Sequence, residues 1–482
     1  MNIRLVKVTL GRILMLEAFF MVLPLAVAIY FGEDFQNIMS FLLVIATLLI
    51  LGSIAKRENI EGLSFGVKDG FGIVALSWIL MSFFGSLPFI ISGQIPSLIN
   101  AVFETASGFT TTGASILVDV EALSPSMLFW RSFTHFIGGM GILVFALAVL
   151  PKSSKGSVHI MRAEVPGPSF GKLVSKIDIT AKILYKIYVV MTAVLIIILI
   201  IAGMKPFDAM IHAFGAAGTG GFSNKAASVG HYNSAAIDYI LGIAMLLFGV
   251  NFNLYYLILI GRLKDVFRSE ELKVYLAIYF GAVIAICVNI SGSYTSLTKM
   301  FRDVFFTASS IMSTTGYATA DFAKWPLFSH YILLMLMFIG SCAGSTAGGL
   351  KISRVIILFK SGLNELKRAL NPNRVIAVVE DGRSLPNSIV KGAHMYLILY
   401  IGIFVSILFI ISIKEHDFAT AFSAVAATLN NIGPGLASVG PTESYAYFGK
   451  FSKVVLTFAM IIGRLEIFPV LVLFSPNTWS KK

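Results

Sequence analysis

Thr110-Thr111-Thr112-Gly113-Ala114 closes a short amphipathic stretch and leads into a long apolar one. The same arrangement returns at Thr219-Gly220-Gly221-Phe222, at Ser313-Thr314-Thr315-Gly316-Tyr317 and at Asn430-Asn431-Ile432-Gly433-Pro434. The shared glycines Gly113, Gly221, Gly316 and Gly433 lie 108, 95 and 117 residues apart. Near-regular recurrence of one unit marks a repeat architecture. Here the unit is a long apolar span, a short segment ending in a small-residue loop, and a second apolar span. Loops of this composition suit backbone carbonyls that replace the water shell of an ion.

The rest of the chain agrees with a membrane setting. It is 57% hydrophobic and 13% charged, against roughly 25% charged in a soluble domain, and its mean hydropathy is +0.85. Apolar runs near the bilayer-spanning length occupy 13–30, 41–54, 71–91, 128–150, 187–203, 236–260, 274–290, 331–339, 395–413 and 454–474. Arg4, Lys7 and Arg12 precede the first run as in a signal peptide, but no small-residue cleavage site follows, so a retained helix is expected. The net charge of +12 gathers in three connections. Lys152, Lys155, Arg162, Lys172, Lys176, Lys182 and Lys186 share the first, and Arg262, Lys264, Arg268 and Lys273 the second. The third holds Arg354, Lys360, Lys367, Arg368, Arg374, Arg383 and Lys391. Alternate connections hold Glu33, Asp34, Asp119, Glu121, Asp321 and Glu443. The positive-inside rule puts the basic connections and both termini in the cytoplasm, which an even ten spans plus four re-entrant segments allows. This placement argues against nucleic acid as the partner. Cys287 and Cys342 lie in apolar stretches and imply no disulfide framework, and the scattered histidines show no metal-ligand spacing.

The four short segments, 96–109, 206–217, 297–312 and 417–429, cannot cross a bilayer. Non-helical backbone at membrane depth requires cover by protein or water, which four such hairpins packed around one axis supply. A half-helix aimed at that axis turns its negative dipole end toward a cation, and the glycines permit dihedrals that a Cβ disfavours. Small-residue packing alone would explain one such loop; four in the same context favour a filter.

On these residues the chain resembles the Trk/Ktr/HKT superfamily of potassium transporters, and within it the TrkH-type membrane subunit. Glu104-Thr-Ala-Ser-Gly-Phe-Thr-Thr-Thr-Gly113 is similar to the family's first filter motif and Asn430-Asn-Ile-Gly-Pro-Gly435 to its last. The resemblance implies an all-α polytopic membrane protein. Four pseudo-repeated M1–pore-helix–M2 units (71–151, 152–262, 263–386 and 387–482) would surround one pore, after an extra helix pair at 1–70. It implies a K+-binding selectivity filter of Thr111, Thr112, Gly113, Thr219, Gly220, Gly221, Thr314, Thr315, Gly316, Asn431, Ile432 and Gly433. Glycine at the key position of all four loops goes with K+ in this family. Because the loops are unequal, the strictness of discrimination among K+, Rb+ and Na+ stays open. The resemblance also implies a bacterial inner-membrane location, a homodimer and a cytosolic TrkA-type regulator that binds nucleotides. No cofactor is expected in this chain, which carries no nucleotide-binding glycine fingerprint.

Gly340-Ser-Cys-Ala-Gly-Ser-Thr-Ala-Gly-Gly349 holds no large side chain. Its GxxxG pairs suit close helix packing; the resemblance favours a break beneath the filter, an intramembrane gate that includes Gly340, Ser341, Gly344, Ser345, Thr346, Gly348 and Gly349. Arg464 lies within an apolar span, where an arginine costs about 2.5–3.5 kcal/mol. The carbonyls of a broken 340–349 segment are its natural partner, as a barrier to cations or as a clamp between helices. Glu466 would point elsewhere on a continuous helix. Lys453 resembles the family's near-filter charge, or is a snorkelling lysine. Glu104 either adds negative potential at the mouth or braces the first loop. Basic inner faces also touch anionic lipid, with turn signals at Pro166-Gly167-Pro168, Asn371-Pro372-Asn373 and Glu380-Asp381-Gly382. The leading reading is K+ uptake through a channel-like pore. An ion-coupled (H+ or Na+) symporter is the alternative, and a membrane enzyme lacks a polar cluster at membrane depth.

Overall fold

The computed structural model describes residues 1–58, 66–139, 141, 177–372, 376–415 and 417–479. Its first two helices, α1 (Ile3–Tyr30) and α2 (Phe35–Lys56), form a hairpin. A Cβ on Gly11 would come 2.6 Å from the Ala55 Cβ and 3.0 Å from the Gly52 carbonyl, so these glycines let the two backbones approach. Between helices in lipid, where apolar burial gives little net drive, small residues of this kind make the packing.

The order long helix, short helix, apolar helix then recurs. It runs first as α3 (Val67–Ile91), α4 (Leu98–Phe109) and α5 (Pro125–Gly139). Next come α6 (Ile177–Ile201), α7 (Pro206–Gly218) and the pair α8 (Ala235–Phe248) and α9 (Phe252–Leu259). After α10 (Leu263–Arg268) follow α11 (Glu270–Ile290), α12 (Leu297–Met312) and α13 (Leu327–Ile339). After α14 (Ile352–Leu370) come α15 (Asn387–Ser412), α16 (Phe418–Leu429) and α17 (Lys450–Arg464). Two short helices, α18 (Phe468–Phe474) and α19 (Pro476–Trp479), end the described chain. The short helices start where expected; Asp417, for example, caps α16 by accepting from the Thr420 N–H at 2.9 Å.

Among the described residues, α1, α2, α3, α6, α11 and α15 are long and apolar enough to cross a membrane. The α8–α9 pair makes a seventh if taken as one span, bent by 92°. Ten continuous spans with a single interruption were expected, and here the structure differs. The 236–260 span is broken at 249–251, the 331–339 span is only the 13-residue α13, and the 454–474 span stops at Arg464. Glu466 (φ 54°) and Ile467 (φ 72°) are left-handed, so Glu466 is not helical at all. The cause is close approach. A Cβ on Gly249 would come 2.6 Å from the Tyr275 hydroxyl, and one on Gly463 would overlap the Leu429 carbonyl at the end of α16. The rest of the 128–150 span lies outside the described residues, as do Lys152, Lys155, Arg162, Lys172, Lys176, Arg374 and Pro166-Gly167-Pro168.

The Met1 ammonium donates to the Thr478 carbonyl at 3.0 Å, so both ends of the described chain meet. A 28-residue α1 spans about 42 Å, and at its far end Phe31 packs against Phe207 of α7. The expected turn at Glu380-Asp381-Gly382 closes a small antiparallel hairpin, β1 (Val379–Glu380) and β2 (Arg383–Ser384). Asp381 and Gly382 both have positive φ, as a two-residue hairpin of this twist requires.

Candidate functional site

The four loops follow one backbone course. After α4, α7, α12 and α16 comes a left-handed residue, Thr111 (φ 55°), Thr219 (φ 57°), Thr314 (φ 57°) or Asn431 (φ 55°). The next N–H turns back to the carbonyl five residues earlier. Thr112 donates to Ser107 at 2.8 Å, Gly220 to Gly215 at 2.9 Å, Thr315 to Ser310 at 2.8 Å and Ile432 to Ala427 at 2.8 Å. Then Gly113, Gly221, Gly316 and Gly433 follow with φ between 75° and 95°. Left-handed backbone costs a residue with a Cβ roughly 1–2 kcal/mol; strain repeated at four equivalent places points to function.

The loops also touch in cyclic order. A Cβ on Gly113 would overlap the Gly220 carbonyl, one on Gly221 the Thr315 carbonyl, and one on Gly316 the Ile432 carbonyl. A Cβ on Gly433 would lie 2.6 Å from the Thr112 carbonyl, which closes the circuit. Asn431 seals that last junction by donating Nδ2–H to Thr112 Oγ1 at 2.9 Å and to the Met460 carbonyl at 2.9 Å. A cavity of about 230 Å³ opens against the four glycines. At its rim Lys225 Nζ and the Ala226 N–H hold the Glu121 carboxyl below the usual carboxylate range, with Lys225 Nζ 2.9 Å from Glu121 Oε2. All twelve loop residues singled out in the sequence therefore belong to one constellation.

Glu104 acts as a brace. It accepts from Ser115 Oγ and the Ile116 N–H, each at 2.9 Å, and pairs with Arg131 Nε at 2.5 Å, all behind the first loop. Arg131 donates in turn to the Ser223 carbonyl at 3.0 Å and lies 3.5 Å over the Phe222 ring, so it ties the first loop to the second. Sequence reasoning passed over Arg131 and its neighbour His135; a cation in an apolar run, of the kind that marked Arg464, was the available signal. Lys453 is buried and donates to Asn100 Oδ1 at 3.0 Å and the Ala446 carbonyl at 2.9 Å, so it does not snorkel.

Residues 340–351 contain no helix. They pass beneath the loops, held from several sides. Ser341 Oγ donates to the Met312 carbonyl at 2.8 Å, the Gly348 N–H to Thr314 Oγ1 at 2.8 Å, and Thr346 Oγ1 to the Phe248 carbonyl at 3.3 Å. The Cys342 N–H reaches the Gly249 carbonyl at 3.1 Å, and Gly344 accepts from the Phe252 N–H at 3.1 Å, so the break in α8–α9 receives this segment. Ser345 Oγ turns back on the Cys342 carbonyl at 2.6 Å. Gly340 and Gly349 stack backbone to backbone, a Cβ on Gly340 coming 3.1 Å from the Gly349 Cα. Arg464, the last residue of α17, donates to the Thr346 carbonyl at 2.6 Å, as expected, and also to the Gly138 carbonyl and, at 3.0 Å, the Gly139 carbonyl. It thus bridges segment 340–351 to α5.

Three anchors of this segment escaped the sequence reading. Glu271 accepts from the Ala343 N–H at 2.6 Å and the Ser353 N–H at 3.2 Å, the buried Lys351 donates to the Ala347 carbonyl, and Arg354 pairs with Glu466. Glu271 and Glu466 come from other elements, and no local pattern links them to 340–351. No group of three or more His, Cys, Asp or Glu able to hold a metal ion occurs among the described residues.

Comparison with known proteins finds relatives over the whole chain. The family model TrkH, cation transport protein, matches residues 36–481. The Trk system potassium uptake protein TrkH of Salmonella typhimurium is 39% identical over 493 residues, covering 100% of both chains. The Trk system potassium uptake protein TrkG of Escherichia coli K12 is 32% identical over 99% of both. The crystal structure of the potassium transporter TrkH from Vibrio parahaemolyticus superposes with a TM-score of 0.88 over 100% of both chains, at 34% identity. Helices of membrane-spanning length, and kinship over the whole chain, make this an integral membrane protein that belongs to the TrkH family of cation transport proteins.

Proposed function

We propose that this chain takes up K+ through a channel-like pore across a bacterial cytoplasmic membrane, with both termini in the cytoplasm. The cyclic contact of four glycine-ended loops carries the reading. Each loop caps a short helix whose carboxyl end bears partial negative charge, and four such ends converging on one axis favour a cation. Rings of backbone carbonyls from Thr111–Gly113, Thr219–Gly221, Thr314–Gly316 and 431–433 replace its hydration shell. In this reading 1–70 is an extra helix pair, and 71–151, 152–262, 263–386 and 387–482 are the four pore units. Segment 340–351, with Gly340, Ser341, Gly344, Ser345, Thr346, Gly348 and Gly349, is the gate that Arg464 holds closed. The basic inner face docks a nucleotide-binding regulator of the TrkA type and touches anionic lipid, and the subunit pairs with a second copy. The full-length kinship to proteins named for potassium uptake supports the choice of ion.

Membrane potential suffices as the driving force, since 100 mV supplies about 2.3 kcal/mol per charge. The test is uptake of radioactive rubidium into proteoliposomes under an imposed potential, with K+, Na+ and Li+ as competitors. Uptake that follows the potential, and is blocked by K+ far better than by Na+, is expected. Uptake that instead requires an H+ or Na+ gradient would replace the channel with a coupled symporter.

A further inference from the structure

The first and third loops carry a hydroxyl brace. Thr110 Oγ1 meets Thr112 Oγ1 at 2.7 Å, and Ser313 Oγ meets Thr315 Oγ1 at 2.7 Å. In the fourth loop Asn430 takes part of this role, accepting from the Tyr400 hydroxyl at 2.8 Å and donating to the Ala426 carbonyl at 2.8 Å. At the two equivalent places the second loop has only Gly218 and Gly220. The space there is filled from outside the loop. A Cβ on Gly220 would overlap the imidazole of His135, and one on Gly218 would overlap the His135 carbonyl.

His135 lies on α5 and is wholly buried. Its Nδ1 lies 2.7 Å from the Gly108 carbonyl in α4, and its Nε2 accepts from the Phe222 N–H at 3.2 Å. A carbonyl only accepts and a backbone N–H only donates, so these partners select the neutral imidazole with its proton on Nδ1. The Phe222 N–H shares a peptide plane with the Gly221 carbonyl. In a trans peptide the two point in opposite directions. Drawing the N–H toward His135 therefore turns the Gly221 carbonyl away from it. Arg131, one turn earlier on α5, holds the carbonyl of Ser223, two residues beyond Gly221.

We propose that His135 is a specificity-determining positioning residue: its imidazole replaces the missing hydroxyl pair of the second loop and sets the direction of the Gly221 carbonyl. The inference rests on reading the four loops as one filter. The site takes a dehydrated monovalent cation, and His135 acts on it only through the loop.

The test measures K+ against Na+ competition for rubidium uptake in proteoliposomes. It compares wild type with His135→Asn, His135→Ala, Gly220→Thr, the double variant His135→Ala/Gly220→Thr, and Gly113→Ser. Asparagine keeps a donor near the Gly108 carbonyl but cannot reach the Phe222 N–H. With folding verified by thermal melting in detergent, His135→Asn is expected to lower K+ preference about three- to tenfold, the size of one hydrogen bond's net contribution. Gly220→Thr alone collides with the ring and also loses preference. The double variant, which returns a hydroxyl where the ring was, recovers preference relative to either single change. Wild-type preference in His135→Asn, or strict additivity in the double variant, overturns the inference. If Gly113→Ser shifts preference in the same experiment, the filter reading survives that failure; if Gly113→Ser is silent, the filter reading falls and takes this inference with it.

Discussion

At the scale of single residues, the site depends on what is absent from a side chain as much as on what is present. Gly113 combines φ 78° with a Cβ position already held by the Gly220 carbonyl. Gly113→Ser must displace that carbonyl, and the expected result is a loss of K+ over Na+ preference on the order of tenfold, equivalent to about 1.4 kcal/mol, read by competition for rubidium uptake. Glu104 is the opposite case, a charge whose removal leaves another stranded. Its pair with Arg131 is almost wholly out of solvent, so Glu104→Ala leaves a buried guanidinium unpaired. That should cost about 3–5 kcal/mol and lower the melting temperature in detergent well beyond the change from Lys324→Ala, whose pair with Asp321 is exposed. The four loop glycines were legible in the sequence because four copies advertise one another. Arg131 and His135 offered the same signal as Arg464, a polar side chain in an apolar run, but without a repeat to say what it serves. The role of His135 depends on Gly218 and Gly220, more than 80 residues away, and that of Arg131 on Phe222 and Ser223, more than 90 residues away.

At the scale of elements, the short helices were readable almost to the residue, since polar starts and Thr/Gly ends delimit them. The broken second helices were not. An interruption such as 249–251 arises because Gly249 comes up against Tyr275 and Ser341, which are distant in sequence, while the local stretch remains apolar enough to read as one span. Only 340–349, with its ten small residues, announced its break. The hairpin β1–β2 was visible as a turn signal, but its electrostatics were not. Burial, together with Glu271, Asp381 and Glu270, pushes the Glu380 carboxyl up to about 7, against the pull of Lys360. A carboxyl raised in the folded state from its ordinary value of 4.5 contributes stability that is fully present below that value and lost as pH rises through about 7. Hydrogen exchange in 376–385 should therefore quicken, beyond its intrinsic pH dependence, between pH 5 and 8. Glu380→Gln should remove that excess, and equal behaviour of the two proteins would contradict the assignment.

For the whole molecule, Arg464 matters because it joins parts that lie far apart in sequence. It holds segment 340–351 through Thr346 and α5 through Gly138 and Gly139. Arg464→Ala should raise basal rubidium flux several-fold in proteoliposomes of the isolated chain, with K+ preference unchanged because the loops above are not touched. Unaltered or lower flux in a folded variant would leave Arg464 as a structural clamp alone. The junction between Asn431 and Thr112 has another consequence, which concerns the order in which the protein is made. Its partners are 319 residues apart, so the circuit of loops stays open until almost the entire chain has left the ribosome. A partly synthesised chain has three of the four loops and no closed circuit. A chain truncated before Asn430 lacks this junction and should carry no selective rubidium flux in proteoliposomes.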